Sequence, residues 1–250
     1  MHDPHSERMS SGETRAASGL ALVFAFRMLG MFMVLPVLAT YGMDLAGATP
    51  ALIGLAIGAY GLTQAIFQIP FGIISDRIGR RPVIYLGLIV FALGSVLAAQ
   101  SDSIWGVIAG RVLQGAGAIS AAVMALLSDL TREQHRTKAM AMVGGSIGLM
   151  FALALVLSPL LAAWVGLSGI FGLTFALALA GIAVVLWVVP AEPAQQSNAP
   201  RGRPAELLQH KDLLRLNAGV FILHTVQMAM WVAVPALLVS AGLAKDGHWK

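Results

Sequence analysis

Gly72-Ile73-Ile74-Ser75-Asp76-Arg77-Ile78-Gly79-Arg80-Arg81 decides how the rest of this chain is read. One acid and three arginines stand together there. Residues 51–71 before them and 82–100 after them carry no charge. A charged knot between two apolar runs marks a point where a polypeptide leaves hydrocarbon, because ionised side chains are costly inside a bilayer. The stretch reads as a short charged loop, and its sign reports the side of the membrane.

The composition supports this. Of 250 residues, 58% are apolar and 11% charged, with a mean hydropathy of +0.80. Soluble domains carry about 25% charged residues, so a soluble reading is excluded. The apolar residues fall in runs at about 18–41, 51–74, 82–100, 104–127, 139–164, 167–189 and 216–241. Each is close to the ~20 residues needed to cross ~30 Å of hydrocarbon as a helix. Transmembrane strands would alternate over about 10 residues, and these runs do not. The predicted fold is an all-α integral membrane protein. Glycine is plentiful, with 27 residues, and small residues let membrane helices approach closely. Cysteine is absent, so no disulfide forms. The first run lacks a small-residue cleavage site and reads as a span, not a removable signal.

Charge distribution gives orientation. Arg8 and Arg15 precede the first run. Arg77, Arg80 and Arg81 follow the second. Arg132, Arg136 and Lys138 follow the fourth, and Arg201, Arg203, Lys211 and Arg215 follow the sixth. With alternating spans, all of these fall on one side. The opposite connections, 42–50, 101–103 and 165–166, hold no basic residue. The positive-inside rule then places the N-terminus and the charged stretch in the cytoplasm. The net charge of +4 is thereby spent on topology, and no nucleic-acid partner is expected. The expected organisation is a tail over 1–17, six spans over 18–189, a cytoplasmic linker over 190–215, a seventh span over 216–241 and an outer end over 242–250. The linker is rich in Pro, with Gln, Ser and Asn, the composition of a flexible connection.

Six spans, a cytoplasmic linker and the charged stretch together resemble the major facilitator superfamily. Its signature G-x-L-a-D-r-x-G-r-k-x-x-l is met by Gly72, Ile74, Ser75, Asp76, Arg77, Gly79, Arg80, Arg81 and Ile84. Leu29-Gly30 with Pro36-Val37 is similar to the first-span pattern of the drug:proton antiporter branch, with Ala39 in place of its last proline. Arg111, Gln114, Gly115 and Gly117 resemble the R-x-x-q-G-x-g pattern of the fourth span. Gly145, Ala154, Ser158, Pro159, Ala162 and Ala163 stand where that branch has its glycine-rich fifth-span pattern, and every substitute is small. The resemblance implies a six-helix N-terminal bundle built as a 3+3 inverted repeat, in a bacterial inner membrane. It also implies a second six-span half as partner, which this chain lacks, so the chain is expected to be a partial sequence. Finally, it implies a conformational latch of Gly72, Asp76, Arg77, Gly79, Arg80, Arg81 and Asp129, with Asp76 meeting a helix end in the other half.

The residues themselves add a sharper clue. Arg27 lies about nine residues into its run, near mid-membrane at ~1.5 Å per residue. Arg111 lies about seven residues in from the outer end of the fourth. None of the 12 acids lies deep in a span, so neither arginine has a carboxylate at its own depth. Either their partner lies in the missing half, or the cavity binds an anionic or carboxylate-bearing group, or Arg111 snorkels or pairs with backbone carbonyls. Arg27-Met28-Leu29-Gly30 echoes Arg111-Val112-Leu113-Gln114-Gly115. Gly54-x3-Gly58 likewise echoes Gly144-x3-Gly148, as an inverted repeat requires. Gln64 with Gln68, and His224 with Gln227, are polar pairs at helical spacing that either line the same cavity with Arg27, Arg111 and Gln114 or bond to neighbouring helices. No metal-ligand spacing, nucleophile–base pair or phosphate-cradling loop is visible. No enzyme activity, cofactor or metal is expected. The expected function is alternating-access transport of a small solute or drug, coupled to protons and directed outward. The alternative is a non-transporting scaffold or half-transporter that needs a partner chain.

Overall fold

The computed structural model describes residues 8–192 and 209–240, with side chains as far as 226. Residues 1–7 of the expected tail, 193–208 of the linker, the outer end 242–250 and the side chain of Gln227 lie outside the described residues. The helices are α1 (Ser11–Tyr41), α2 (Pro50–Ile78), α3 (Arg80–Ala99), α4 (Ile104–Ala116), α5 (Ser120–Asp129), α6 (Glu133–Trp187) and α7 (Lys211–Ser240), with a short 3-10 turn at Gly42–Asp44. Among the described residues the only extended pairing is an isolated bridge between Ala46 and Ser103. The chain divides into two units, Met1–Gln195 and Gln196–Lys250. The first holds α1–α6. The second holds α7.

Three boundaries differ from the sequence reading. First, α1 starts at Ser11, inside the expected tail. Ser10 Oγ accepts from the Glu13 backbone N–H at 3.2 Å, and the Glu13 carboxylate accepts from the Ser10 N–H at 2.8 Å. That reciprocal capping box satisfies two N-terminal donors, and Ala16 and Ala17 are already buried. Second, the charged stretch is not a loop. α2 runs to Ile78 and α3 starts at Arg80; only Gly79 between them departs, with φ 102° and ψ 155°. A positive φ is cheap only for glycine. Pro82 sits in the first turn of α3, where its missing N–H is not needed. Third, the expected fourth span is broken into α4 and α5 across residues 117–119. There the backbone runs against α3: a Cβ on Gly117 would stand 2.3 Å from the Gly87 carbonyl oxygen.

The 55 residues of α6 would measure about 80 Å if straight. They are not straight, because Gly166 takes φ 65° and ψ −171°. Before it, Ser146 Oγ donates to Ala21 O at 3.2 Å and Ser158 Oγ to Met33 O at 2.6 Å. Numbers rise together, so this arm is parallel to α1. After it, Thr174 Oγ1 donates to Gly30 O at 3.5 Å, while Arg15 donates to the carbonyls of Trp187 and Val188 at 2.6 and 2.7 Å. Numbers now run oppositely, so the second arm is antiparallel to α1. The chain reverses at Gly166, the junction expected between the fifth and sixth apolar runs.

Five helical segments among the described residues are long and apolar enough to cross a membrane: Ser11–Asp44, Pro50–Ile78, Arg80–Ala99, Ile104–Asp129 and Glu133–Trp187. The core has two apolar clusters. One near the charged stretch includes Leu20, Phe24, Ile84, Leu88, Leu126 and Val185. The other, at the far end, includes Val34, Leu38, Ile53, Ile104 and Phe171. Between them lies a small aromatic group around Tyr60 and Phe91. Large apolar side chains also point outward, among them Leu62, Ile69, Val156, Leu160 and Trp164. An apolar exterior suits a lipid environment, where apolar outward residues cost nothing.

Candidate functional site

Two polar groupings interrupt this apolar body. The first gathers at the charged stretch. Arg80 is its hub: Nη1 pairs with Asp76 Oδ1 and donates to Ser75 Oγ at 2.8 Å, while Nε reaches Asp129 Oδ2 at 3.4 Å. Asp76 stands in the last turn of α2 and Asp129 ends α5, so one guanidinium ties three helices. Its planar fork suits several acceptors at once. Arg81 turns away and donates to Val185 O at 2.5 Å and to Tyr85 Oη at 3.2 Å. Arg77, which the resemblance places in the latch, is exposed and stands outside these contacts among the described residues. Gly72 approaches Ala121 of α5.

Two acids of this end were missed in the sequence reading. Glu192, just past α6, accepts from the Arg80 N–H at 2.8 and 2.9 Å and from the Arg81 N–H at 3.2 Å. It therefore satisfies the free donors at the start of α3, where the helix dipole favours an anion. Nothing in its sequence context signals this, because the contact joins residues more than a hundred positions apart. Glu13 accepts from Arg132 N, Nε and Nη2 at 2.9, 3.0 and 2.9 Å. The Ser10-x-x-Glu13 spacing was a legible sign of its capping role, although not of Arg132. Glu192→Ala is expected to cost about 1 kcal/mol, the scale of a lost helix N-cap. Thermal unfolding in detergent reads this as a lower midpoint, with Glu192→Asp recovering part of it.

The second grouping is buried at mid-depth, and Tyr60 is its centre. The Arg27 guanidinium from α1 donates from Nη2 to Tyr60 Oη at 3.3 Å and to Gln64 Oε1 at 3.4 Å, and lies 5.4 Å from the Phe91 ring centroid. Arg111 from α4 stacks on the Tyr60 ring at 4.5 Å, donates from Nη1 to Gln114 Oε1 at 2.9 Å and from Nε to Ala56 O at 3.3 Å. Gln114 Nε2 passes the chain on to Ser95 Oγ at 2.8 Å. Arg27 is 2% exposed and Arg111 1%. Cation–π contact with desolvated aromatic rings offsets part of the cost of such burial. Nε and Nη1 of Arg27 and Oε1 of Gln68 are buried with no hydrogen-bond partner among the described residues.

The remaining sequence candidates fall outside this centre. Ala154 and Ser158 are buried in the first arm of α6 against α1, beside Pro159. Gly145 lies open: a Cβ placed there would meet nothing within 4 Å, and the same holds at Gly54, Gly58, Gly144 and Gly148. His224 is exposed on α7 and its Nδ1 lies 2.9 Å from Val220 O of the same helix. Among the described residues no cluster of His, Asp and Glu is arranged to hold a metal.

Comparison with known proteins gives the family. Residues 20–248 match the Major Facilitator Superfamily. The chain belongs to that superfamily. It is 57% identical over 247 residues to the Inner membrane transport protein YajR of Escherichia coli (strain K12), covering 97% of this chain and 54% of that protein. It is 33% identical over 141 residues to the Tetracycline resistance protein, class B, of Escherichia coli, covering 55% of this chain and 34% of that protein. Among solved structures, a peptide transporter, POT, in complex with alafosfalin superposes with a TM-score of 0.61 at 16% identity. The superposition covers 92% of this chain and 53% of that one, and shows a shared fold. The chain thus spans about half the length of the Escherichia coli relative YajR.

Proposed function

We propose that this chain forms the N-terminal half, with one further span, of a secondary active transporter that moves a small solute by alternating access. The spans are α1, α2, α3, α4 with α5, the two arms of α6, and α7. The first six form a 3+3 repeat over 18–189, the linker occupies 190–215 and the seventh span 216–241. The basic residues put the N-terminus and the charged stretch on the cytoplasmic side of a bacterial inner membrane. A second six-span half completes the solute pathway.

The observation that carries this reading is the convergence of Arg27 and Arg111 on Tyr60. They come from the first and fourth apolar runs, the equivalent members of an inverted repeat, and they meet near mid-membrane, where transporters of this architecture bind solutes. The Arg80 hub is the matching element at the cytoplasmic end. It holds α2, α3 and α5 together in one state and releases them in the other. The resemblance to the drug:proton antiporter branch supports outward movement coupled to protons, and a relative named for tetracycline resistance is in keeping with a drug or small solute as cargo.

Reconstitution of this chain joined to its second six-span half, in liposomes with an entrapped pH dye and an imposed proton gradient, tests the reading. A transported solute is expected to dissipate the gradient faster than in empty liposomes. A properly inserted protein that leaves the gradient unchanged across anionic, neutral and cationic solutes overturns proton-coupled transport.

A further inference from the structure

Arg27 carries more hydrogen-bonding capacity than the bundle uses. A guanidinium has five N–H donors. Its Nη2 makes two long contacts, to Tyr60 and Gln64, while Nε and Nη1 make none among the described residues. The side chain is 2% exposed, so water in bulk does not serve those donors. A second guanidinium, Arg111, stacks on the ring of the same tyrosine.

No acid among the described residues answers this charge. Among the described residues the acids stand at helix ends or between helices: Glu13 opens α1, Asp76 closes α2, Asp129 closes α5, Glu133 opens α6 and Asp212 opens α7. Asp44, Asp102 and Glu192 lie outside the α-helices. Two cations therefore share one low-dielectric centre without a counter-ion, and they repel each other there. Such a centre gains from an anion more than from any neutral or cationic guest. The surroundings define the rest of the guest. Tyr60 and Phe91 meet edge to face, with Met31 and Phe175 packed beside them, so the walls are aromatic and apolar. α2 packs mainly on α4 and touches α1 little, and Arg27 sits in that lightly packed seam.

We infer that Arg27, with Tyr60 and Gln64 beside it and Arg111 behind, forms the binding site for an organic anion: a carboxylate or sulfonate head on a small apolar or aromatic body. The free Nε–H and Nη1–H groups of Arg27 take the oxyanion, as charge-assisted bonds to a planar oxyanion are the strong ones. The Tyr60 hydroxyl and the Gln64 amide complete its coordination. This inference rests on the transporter reading for the site's purpose, and binding alone tests its chemistry.

The test uses purified protein in nanodiscs and probes of matched shape: benzoate and benzenesulfonate, neutral benzamide and cationic benzylammonium. Calorimetry is expected to show the two anions binding at least tenfold more tightly than the amide or the amine. Arg27→Gln is expected to remove at least tenfold of that affinity, and Arg27→Lys, which keeps the charge but not the fork, several-fold. If Arg27→Gln does not fold, Arg27→Lys and the probe comparison still decide. Equal binding of benzamide and benzoate, tighter binding of the amine, or no anion binding in a folded protein overturns the site. Uptake of benzenesulfonate into proteoliposomes that hold the chain joined to its second six-span half separates the two readings. Anion binding without uptake leaves the site standing and sinks the transporter reading. Transport confined to the neutral or cationic probe keeps the transporter and sinks the anion site.

Discussion

Arg80→Lys is expected to lower transport at least tenfold, although it leaves the charge of the protein unchanged. Arg80 serves Asp76, Asp129 and Ser75 at once. An ammonium is a compact point charge and does not span three acceptors with fixed geometry. Hydrogen bonds to charged groups are worth about 1.5–3 kcal/mol each. The Arg80 side chain is 16% exposed but its partners are 55% and 44% exposed, so solvent screening reduces that. Loss of even about 1.4 kcal/mol from one state shifts a two-state equilibrium tenfold, which is enough to hold a rocking bundle on the wrong side. The competing account is that the arginines of this stretch only enforce topology. It predicts wild-type transport for Arg80→Lys, and Arg77→Lys supplies the control, because Arg77 is exposed and outside the network. Proteoliposome uptake at equal protein density separates the two. Equal rates for both lysine variants would sink the latch.

How far the sequence carried this result depends on the range of each interaction. The apolar runs and one-sided arginines were legible because a bilayer imposes length and charge rules residue by residue. The reversal at Gly166 fell at the expected junction for the same reason. The break in the fourth run was not visible. Gly117 and its neighbours read as ordinary membrane-helix residues, and the close approach of the Gly87 carbonyl from α3, which leaves no room for a side chain at Gly117, joins positions thirty residues apart. The charged stretch misled in a different way. Its composition reads as a loop, yet Asp76 and Arg80 are four residues apart and pair across a single glycine, so both helices continue to its edge. For the site, burial of Arg27 and Arg111 was foreseeable from their depth. Their meeting on Tyr60 was not, since nothing local marks a tyrosine in α2 as the partner of residues 33 positions before it and 51 after it. Glu192 and Arg132 escaped for the same reason: each joins segments over a hundred positions apart.

Glu13→Ala is expected to be the most destabilising single change at the charged end of the bundle. Glu13 is the first-turn acid of α1, and its partner Arg132 is the residue that caps α6. The carboxylate thus lies at two helix N-termini and accepts from Ser10 N and three Arg132 donors. Its side chain is 6% exposed against 30% for Arg132. Breaking a buried pair by deleting one partner costs about 3–5 kcal/mol. Partial exposure of Arg132 lets water replace some of what is lost, which puts the expectation near the lower figure, at roughly 2–3 kcal/mol. Arg132→Ala should cost less, because Glu13 keeps its bond to Ser10. The double variant should cost less than the sum of the singles, with a coupling of at least about 1 kcal/mol. Equilibrium unfolding in mixed micelles measures all three. A Glu13→Ala cost below about 0.5 kcal/mol, the range of an ordinary surface substitution, would mean that the pair only decorates the helix ends. The physical case against that outcome is the parallel run of α1 and the first arm of α6. Two helix N-termini placed side by side repel through their dipoles, and Glu13 is the negative charge that lies between them.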